Sequence, residues 1–192
     1  MATPPPETVL RWNRTERAAH WVHAIAFCIL LGSGLCLYLP SLSELVSRRP
    51  LLKDIHIYTA LAWVAALAFV FVVGDKRSLR STVRELDRLD PRGRMNRGQQ
   101  LNTIATAAFA ILFAVTGTLL WLGERDTRFR FAQTILIHDW LTQISLVLFV
   151  GHLYLAVIHP STRHALNGMT RGWVDADWAE RHHRKWTRDA PQ

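Results

Sequence analysis

Histidines are the residues of this sequence whose type and position suggest chemistry. Six of the nine lie within long apolar stretches or at their ends, namely His20, His23, His56, His138, His152 and His159. An ionisable side chain is costly to place inside a membrane, and where one occurs it usually has a functional role. Imidazole is also the commonest metal ligand among side chains. These histidines are therefore candidate metal ligands.

The apolar stretches are long enough to cross a bilayer as helices. They cover residues 18–39, 56–73, 101–122 and 132–158, and Asp139 is the only formally charged residue within them. A helix needs about 20 residues, with about 17 as the lower limit, to cross the hydrocarbon core. The sequence therefore predicts an all-α integral membrane protein with four spans. We expect the first span to be retained, because it is longer than the apolar part of a signal peptide and no A-x-A site follows it.

The net charge of +8 is concentrated in the segments between the spans. Seventeen of the 23 lysines and arginines fall in the N-terminal segment, the loop between the second and third spans, and the C-terminal tail. The positive-inside rule then places both termini in the cytoplasm, and it explains the basic charge without nucleic-acid binding. The predicted fold is an up-down-up-down four-helix bundle. We expect a single domain over residues 1–192, with a cytoplasmic tail at 160–192 and no internal repeat.

The histidines form two pairs when they are compared by depth. His138 and His152 are 14 residues apart, which is close to four helical turns, so they share one helix face about 21 Å apart along the axis. In the predicted topology His138 lies near the outer leaflet and His152 near the inner one. His56 begins the second span on the outer side, and His20 begins the first span on the inner side. The predicted pairs are His56 with His138 and His20 with His152.

Two imidazoles at one depth suit the axial ligation of a haem iron. Bis-histidine ligation fills both axial positions, which favours electron transfer over oxygen chemistry, whereas a structural zinc site takes four ligands. Spacing leaves alternatives open, because His23 is three residues from His20 and His159 is seven residues from His152. Any single one of these histidines could also be a packing residue held by hydrogen bonds.

Glycines within the spans are consistent with a bulky cofactor between helices. They are Gly32, Gly34, Gly117 and Gly151. A macrocycle needs room that a Cβ atom would fill, but glycine is equally typical of close helix contacts in membranes. This observation alone does not distinguish the two explanations.

Several short segments together resemble a known family, and the similarity covers nearly the whole chain. The segments are Glu16-Arg17-Ala18-Ala19-His20-Trp21, Ser33-Gly34-Leu35, His56, Asn96-Arg97-Gly98-Gln99, Thr116-Gly117, Leu136-Ile137-His138, Gly151-His152-Leu153-Tyr154, Gly168-Met169, Trp178-Ala179-Glu180-Arg181-His182-His183 and Trp186. They resemble the cytochrome b (gamma) subunit of respiratory formate dehydrogenases, within the wider set of dihaem, cytochrome b561-like membrane cytochromes.

The resemblance implies two haem b groups and a quinone site. The ligand positions of the family correspond to His20, His56, His138 and His152, with His56 and His138 holding the outer haem and His20 and His152 the inner one. The Asn-x-Gly-Gln segment of the quinone pocket corresponds to Asn96, Gly98 and Gln99, beside His152. From residue types alone, a different explanation is preferred for this segment: Asn96 caps the third helix and Gln99 is a first-turn residue.

The same resemblance implies a place in a larger complex of the bacterial cytoplasmic membrane. The chain would take electrons from an iron–sulfur (beta) subunit near the outer face, and through it from a catalytic (alpha) subunit, and pass them to menaquinone or ubiquinone near the cytoplasm. A homotrimer of the complex is a further implication. We expect donor oxidation to occur on a partner, because this sequence has no cysteine cluster or phosphate loop. Alternatives are a cytochrome b subunit of a hydrogenase or another quinone-linked oxidoreductase, and a haem-free membrane anchor.

Two features do not fit this pattern directly. Asp139 follows His138 where a small apolar residue is expected, and its position near the helix start suggests that it reaches the outer interface. His182 and His183 are adjacent in the tail, but adjacent side chains point apart and no carboxylate or cysteine clusters with them. We therefore expect a structural or subunit-contact role for the two tail histidines.

Overall fold

The structure, a computed structural model, describes residues 7–46, 48–87 and 93–189. Arg88 and Arg92, counted above among the inner basic residues, and residues 190–192 of the predicted tail lie outside this part of the chain. In chain order the elements are β1 (Thr8–Leu10), α1 (Arg14–Tyr38), α2 (Pro40–Val46), α3 (Arg49–Val73), α4 (Lys76–Asp87), α5 (Arg97–Gly123), α6 (Thr134–Leu153), α7 (Leu166–Thr170), β2 (Trp173–Asp175) and α8 (Ala176–Asp189).

Four of the helices are long and apolar enough to cross a membrane. They are α1, α3, α5, and α6 together with the π-helical turn Tyr154–Ile158 that continues it. Large apolar side chains such as Phe69, Val72 and Val147 are exposed along them. Exposed apolar surface of this extent is expected where a helix faces lipid rather than water. The prediction of an all-α membrane protein with four spans is confirmed.

Three of the four spanning helices begin earlier than the apolar stretches do. Helices α1, α3 and α5 start four to seven residues before the predicted spans. At α1 the reason is a capping box, in which the Asn13 side chain accepts from the Glu16 N–H at 3.0 Å and the Glu16 carboxylate accepts from the Asn13 N–H at 2.9 Å. These two bonds satisfy N–H groups that the first helical turn leaves unpaired. Polar residues therefore extend the helix beyond its apolar part.

The chain divides into two compact units. The first comprises residues up to 18, 74–107 and 147 onward, and the second comprises Ala19–Val73 and Ala108–Leu146. In the first unit, β1 pairs antiparallel with β2, with Val9 opposite Val174. The prediction of a single domain is not tested by this division and stays a prediction.

The C-terminal tail has a folded core within the first unit. Val174, Trp178 and Ala179 are almost fully buried, with 1%, 5% and 0% of their surfaces exposed. Gly168 lies beside them, and a Cβ atom there would come within 3.3 Å of the Val174 side chain. Gly172 has φ +96°, a conformation that side chains rarely adopt. The tail therefore packs against the N-terminal segment through a defined sheet and a small apolar core.

Candidate functional site

Two of the predicted ligands face each other within the second unit. His56 on α3 and His138 on α6 are both half-buried, and their ring centroids are 6.3 Å apart with an interplanar angle of 66°. Imidazole nitrogens bind metals at about 2 Å, so two rings on opposite sides of one iron have centroids roughly 6 Å apart. The separation of these two rings therefore fits one metal ion between them.

A hydroxyl group holds each of these rings through the same nitrogen. Ser33 Oγ lies 2.9 Å from His56 Nδ1, and Thr116 Oγ1 lies 2.8 Å from His138 Nδ1. Each hydroxyl also donates its proton to the carbonyl one turn earlier in its own helix, at 2.8 Å for Ser33 and 2.7 Å for Thr116. The hydroxyl oxygen must therefore accept from the ring, which places the ring proton on Nδ1. Nε2 is then the nitrogen of each histidine that could bind a metal ion.

A glycine follows each hydroxyl residue and lies against the same ring. A Cβ atom on Gly34 would approach His56 Cε1 to 3.4 Å, and one on Gly117 would approach His138 Cε1 to 3.6 Å. The two Ser/Thr-Gly pairs therefore combine a hydrogen bond to the imidazole with space beside it. The room for a macrocycle that the glycines suggest in the sequence stays a prediction.

The second predicted pair has its members in different units. His20 lies in α1 and contacts the edge of Trp21 at a centroid distance of 5.4 Å, and His152 lies near the end of α6. His20 belongs to the second unit and His152 to the first. The pairing of these two residues stays a prediction.

The two competing histidines have other neighbours. His23 packs on Trp63 with ring centroids 5.6 Å apart, and His159 Nδ1 lies 3.1 Å from the Ser161 hydroxyl. Asp139 is half-buried in the second turn of α6, directly after His138. Among the described residues, no group of three or more His, Cys, Asp or Glu side chains is placed to hold a metal ion.

The predicted quinone residues form a capping box at the start of α5. Asn96 Oδ1 accepts from the Gln99 N–H at 2.9 Å, and Gln99 Oε1 accepts from the Asn96 N–H at 3.0 Å. A Cβ atom on Gly98 would lie 3.4 Å from the Asn96 side chain. The capping role expected from residue types is therefore present. Because Asn96 and Gly98 are exposed, the segment is also accessible.

Two six-residue segments of the first unit are similar in sequence, and the expectation of no internal repeat stays a prediction. The sequence Arg-Trp-Asn-Arg-Thr-Glu at 11–16 matches Arg-Met-Asn-Arg-Gly-Gln at 94–99, and each copy ends in a capping box. The first arginine of each copy bonds to the other copy: Arg11 Nη2 contacts Gln99 Oε1 at 3.2 Å, and Arg94 Nη1 contacts Glu16 Oε1 at 2.8 Å. We call this arrangement the reciprocal clamp. It links the starts of α1 and α5 within the first unit.

Adjacent histidines in the tail lie in different environments. His182 is exposed and stacks on Trp178 at 4.8 Å, whereas His183 is only 7% exposed and its Nε2 lies 3.2 Å from Arg11 Nη2. Burial, followed by the positive charge of Arg11, lowers the pKa of His183 to about 4. Burial likewise lowers the pKa of Arg11 to about 10. His183 is therefore neutral and Arg11 charged near pH 7.

Sequence reasoning missed three residues that the structure brings into these sites. Ser33 and Thr116 are polar residues within apolar spans, and each precedes a glycine, which is a signal that spacing analysis could have used. Arg11 was counted only as an inner positive charge, but it is 2% exposed. The similarity of the segments at 11–16 and 94–99, in which Arg11 corresponds to Arg94, could have indicated a structural role for Arg11.

Four apolar helices with a facing pair of histidines are typical of one class of protein, the membrane cytochromes b. A sequence model described as prokaryotic cytochrome b561 matches residues 11–172. This chain belongs to the prokaryotic cytochrome b561 family. Membership of a cytochrome b family implies haem b, and together with the four apolar helices it indicates an integral membrane protein of electron transport.

Individual relatives are cytochrome subunits of formate dehydrogenases. The chain is 25% identical to the "Formate dehydrogenase, cytochrome b556(fdo) subunit" of Escherichia coli strain K12, with 95% of this chain and 93% of that protein covered. Its identity to the nitrate-inducible cytochrome b556(Fdn) subunit of the same strain is also 25%, over 94% and 91% of the two chains. A Haemophilus influenzae formate dehydrogenase cytochrome b556 subunit is 23% identical, over 94% and 83%. The family resemblance found in the sequence is confirmed.

Proposed function

We propose that this chain is the dihaem cytochrome b subunit of a formate dehydrogenase complex. It carries electrons from an iron–sulfur partner subunit, near the outer face of a bacterial cytoplasmic membrane, to a quinone near the cytoplasmic face. The observation that carries the proposal is the His56–His138 pair, with its 6.3 Å centroid separation. The similarity to formate dehydrogenase cytochrome subunits, which extends over nearly the full length, supports the choice of donor.

In this proposal, His56 and His138 hold the outer haem b, and His20 and His152 hold the inner one. A haem b with two histidine ligands supplies a one-electron carrier without an open coordination position. The hydroxyls of Ser33 and Thr116, bonded to Nδ1, would hold the two rings with Nε2 available to the haem iron. A hydrogen bond from the other ring nitrogen of a ligating histidine orients the ring and raises its basicity.

The quinone is reduced beside the start of α5 in this proposal. Asn96, Gly98 and Gln99 are polar or small and lie at a helix start with accessible backbone. Reduction of a quinone to a quinol takes up two electrons and two protons, so a water-accessible position on the cytoplasmic side suits the reaction. Amide side chains can donate a hydrogen bond to a quinone carbonyl.

The proposed orientation has both termini in the cytoplasm, as the distribution of basic residues predicts. The iron–sulfur subunit then contacts the outer side, near the outer haem, and the catalytic subunit lies beyond it. Assembly of the complex as a homotrimer is part of the same family-based proposal. The order of carriers is donor subunit, outer haem, inner haem and quinone.

The test is a pyridine haemochrome assay on the purified chain, with the ratio of haem to protein determined. We expect two b haems in the unmodified chain. His56→Ala and His138→Ala should each remove one haem with the same spectral signature, and His20→Ala and His152→Ala should remove the other. The matched controls are His23→Ala and His159→Ala, which should keep both haems because those histidines have packing or hydrogen-bond roles.

Two results would contradict the proposal. A purified, folded chain without haem would leave a membrane anchor as the function. Loss of both haems in every one of the four ligand variants, with both controls intact, would contradict the assignment of ligands to two separate pairs. Reduction of the bound haems by the co-purified dehydrogenase on addition of formate, but not of hydrogen, tests the identity of the donor.

A further inference from the structure

Arg11 is the most deeply buried charged residue among those that the structure describes. It follows β1 directly and precedes the capping box of α1. Only 2% of its surface is exposed, and its guanidinium carbon lies 5.7 Å from the ring centre of Trp12 and 5.1 Å from that of Trp178. Contacts of this kind stabilise a buried cation through the faces of the indole rings. Nε and Nη1 of Arg11 make no hydrogen bond within the described residues.

The remaining nitrogen, Nη2, has two N–H groups and three acceptors within reach, so two of the acceptors share one N–H. It lies 2.8 Å from the Arg94 carbonyl oxygen, 3.2 Å from Gln99 Oε1 and 3.2 Å from His183 Nε2. Arginine has no acceptor, so the nitrogen of His183 must accept and the histidine must be neutral. The low pKa of His183, about 4, agrees with this arrangement. One guanidinium group therefore connects the tail to the segment before α5.

His183 is held in this position by the fold of the tail. Its φ of −138° and ψ of 41° interrupt the helical geometry of α8, so its side chain leaves the path that the helix would give it. The ring packs edge-on against Trp186 at 6.3 Å and tilted against Trp178 at 5.5 Å. A hydrogen bond to the backbone of Gly93 holds the ring as well. The kink therefore directs His183 toward Arg11.

These contacts determine which end of the Gln99 amide is available to a ligand. Gln99 Oε1 accepts from the Asn96 N–H at 3.0 Å and from Arg11 at 3.2 Å, so both of its lone pairs are used. The amide nitrogen, Nε2, makes no hydrogen bond within the described residues. It can donate to an acceptor such as a quinone carbonyl oxygen. Without Arg11, one of the two bonds that fix the amide would be absent.

We propose that Arg11 is a positioning residue for quinone reduction, because it fixes the Gln99 amide with its N–H donors toward the quinone, and that the tail holds Arg11 through His183. The inference rests on the proposed function, and it assigns the tail a part in the quinone site. It explains why a charged side chain is buried between a terminal segment and a helix start. The partner recognised is a quinone carbonyl group, through a neutral amide donor.

The experiment uses the full-length chain with its haems. The haems are reduced with dithionite, a water-soluble naphthoquinone or benzoquinone is added, and haem reoxidation is followed by stopped-flow absorbance over a range of quinone concentrations. We expect Gln99→Ala, Arg11→Met and His183→Met to raise the quinone concentration for half-maximal rate by about tenfold, the size of one lost hydrogen bond of moderate strength. Haem content and the reduced spectrum should not change.

A double-mutant cycle separates positioning from a general structural role. If Arg11 acts through Gln99, Arg11→Met should have little further effect in the Gln99→Ala background. His183→Gln should keep the behaviour of the unmodified chain, because a glutamine oxygen can accept from Arg11. The matched controls are the exposed neighbours Arg14 and His182, whose Arg14→Met and His182→Met variants should leave the reaction unchanged.

The outcomes distinguish this inference from the proposed function. If the unmodified, haem-containing chain is not reoxidised by either quinone, the proposed function fails. If it is reoxidised but Gln99→Ala has no effect, or the Arg11 and Gln99 effects are additive, the positioning role is overturned while the proposed function stands. If Arg11→Met does not fold, the pair His183→Gln and His183→Met decides the matter, since equal behaviour of the two would overturn the inference.

Discussion

Removing the hydroxyl groups that hold His56 and His138 tests the proposed outer haem site most directly. Thr116→Val keeps the volume and shape of the side chain but removes its oxygen, and Ser33→Ala does the same at the other ring. Thr116→Val removes the hydroxyl acceptor of His138 Nδ1–H, and Ser33→Ala removes that of His56, whose ring also has a hydrogen bond to the Leu30 backbone. The helix carbonyl that also bound the hydroxyl keeps its backbone hydrogen bond. The changes are therefore confined to the histidine contact.

The expected size of the effect follows from the strength of one hydrogen bond. An Nδ1–H···O bond makes the imidazole a better electron donor, which favours ferric iron, so its loss should raise the midpoint potential. A hydrogen bond contributes about 0.5–1.5 kcal/mol, and for a one-electron couple about 1.4 kcal/mol corresponds to roughly 59 mV. The midpoint potential should therefore rise by at most roughly 20–60 mV for each hydroxyl removed. Both changes together should approach twice this value.

The assay is a redox titration of the purified chain followed by visible spectroscopy. Thr116→Val and Ser33→Ala should raise the potential of one haem and leave that of the other unchanged. Thr116→Ser is the matched control, because it keeps the hydroxyl and should titrate like the unmodified chain. An equal shift of both haems, or no shift while haem content stays the same, would refute the assignment of these hydroxyls to the outer ligands.

Three further predictions concern other parts of the chain. Gly34→Leu should remove one haem without preventing membrane insertion, because its Cβ would already lie 3.4 Å from His56; two retained haems in a haemochrome assay would contradict this. The pKa of His183 in the folded chain is about 4, below its ordinary 6.5. The contribution of neutral His183 to stability is therefore present above pH 6.5 and lost as the pH falls toward 4. Limited proteolysis of the tail should accelerate over this range, and less so in His183→Gln. Glu16→Ala should reduce stability by about 1–2 kcal/mol, because it removes the capping box of α1 and one of the two carboxylates that pair with Arg94, while Glu85 remains. Thermal unfolding at an unchanged temperature would contradict it.

The four spans could be predicted because a membrane imposes length and polarity limits on each helix separately. The helix starts could not be predicted from hydropathy, since α1 and α5 begin with the polar residues of their capping boxes. The sheet between β1 and β2 was also not foreseen. Its strands are three residues long and more than 160 positions apart in sequence, so neither carries a local signal of its partner.

The candidate site was only partly predictable for a similar reason. Histidines could be found because they are rare in apolar spans, and helical periodicity was enough to relate His138 to His152. Their hydroxyl partners depend on how α1 lies against α3 and how α5 lies against α6, which spacing within one helix does not give. Ser33 and Thr116 therefore entered only as parts of a family resemblance, with no role derived for either.

The polar contacts of the reciprocal clamp are better explained by the orientation that they give to side chains than by a contribution to the stability of the fold. Burying Arg11, and partly burying Arg94, costs desolvation energy, and apolar residues of similar size often stabilise a fold as well or better. The small apolar core around Val174 already joins the tail to the N-terminal segment. An apolar contact, however, cannot favour one orientation of an amide, whereas the hydrogen bond from Arg11 adds to that from the Asn96 N–H in holding the Gln99 oxygen. The two similar hexapeptides thus each cap a helix, and Arg11 of the first supports the orientation of the Gln99 amide on which the proposed quinone contact depends.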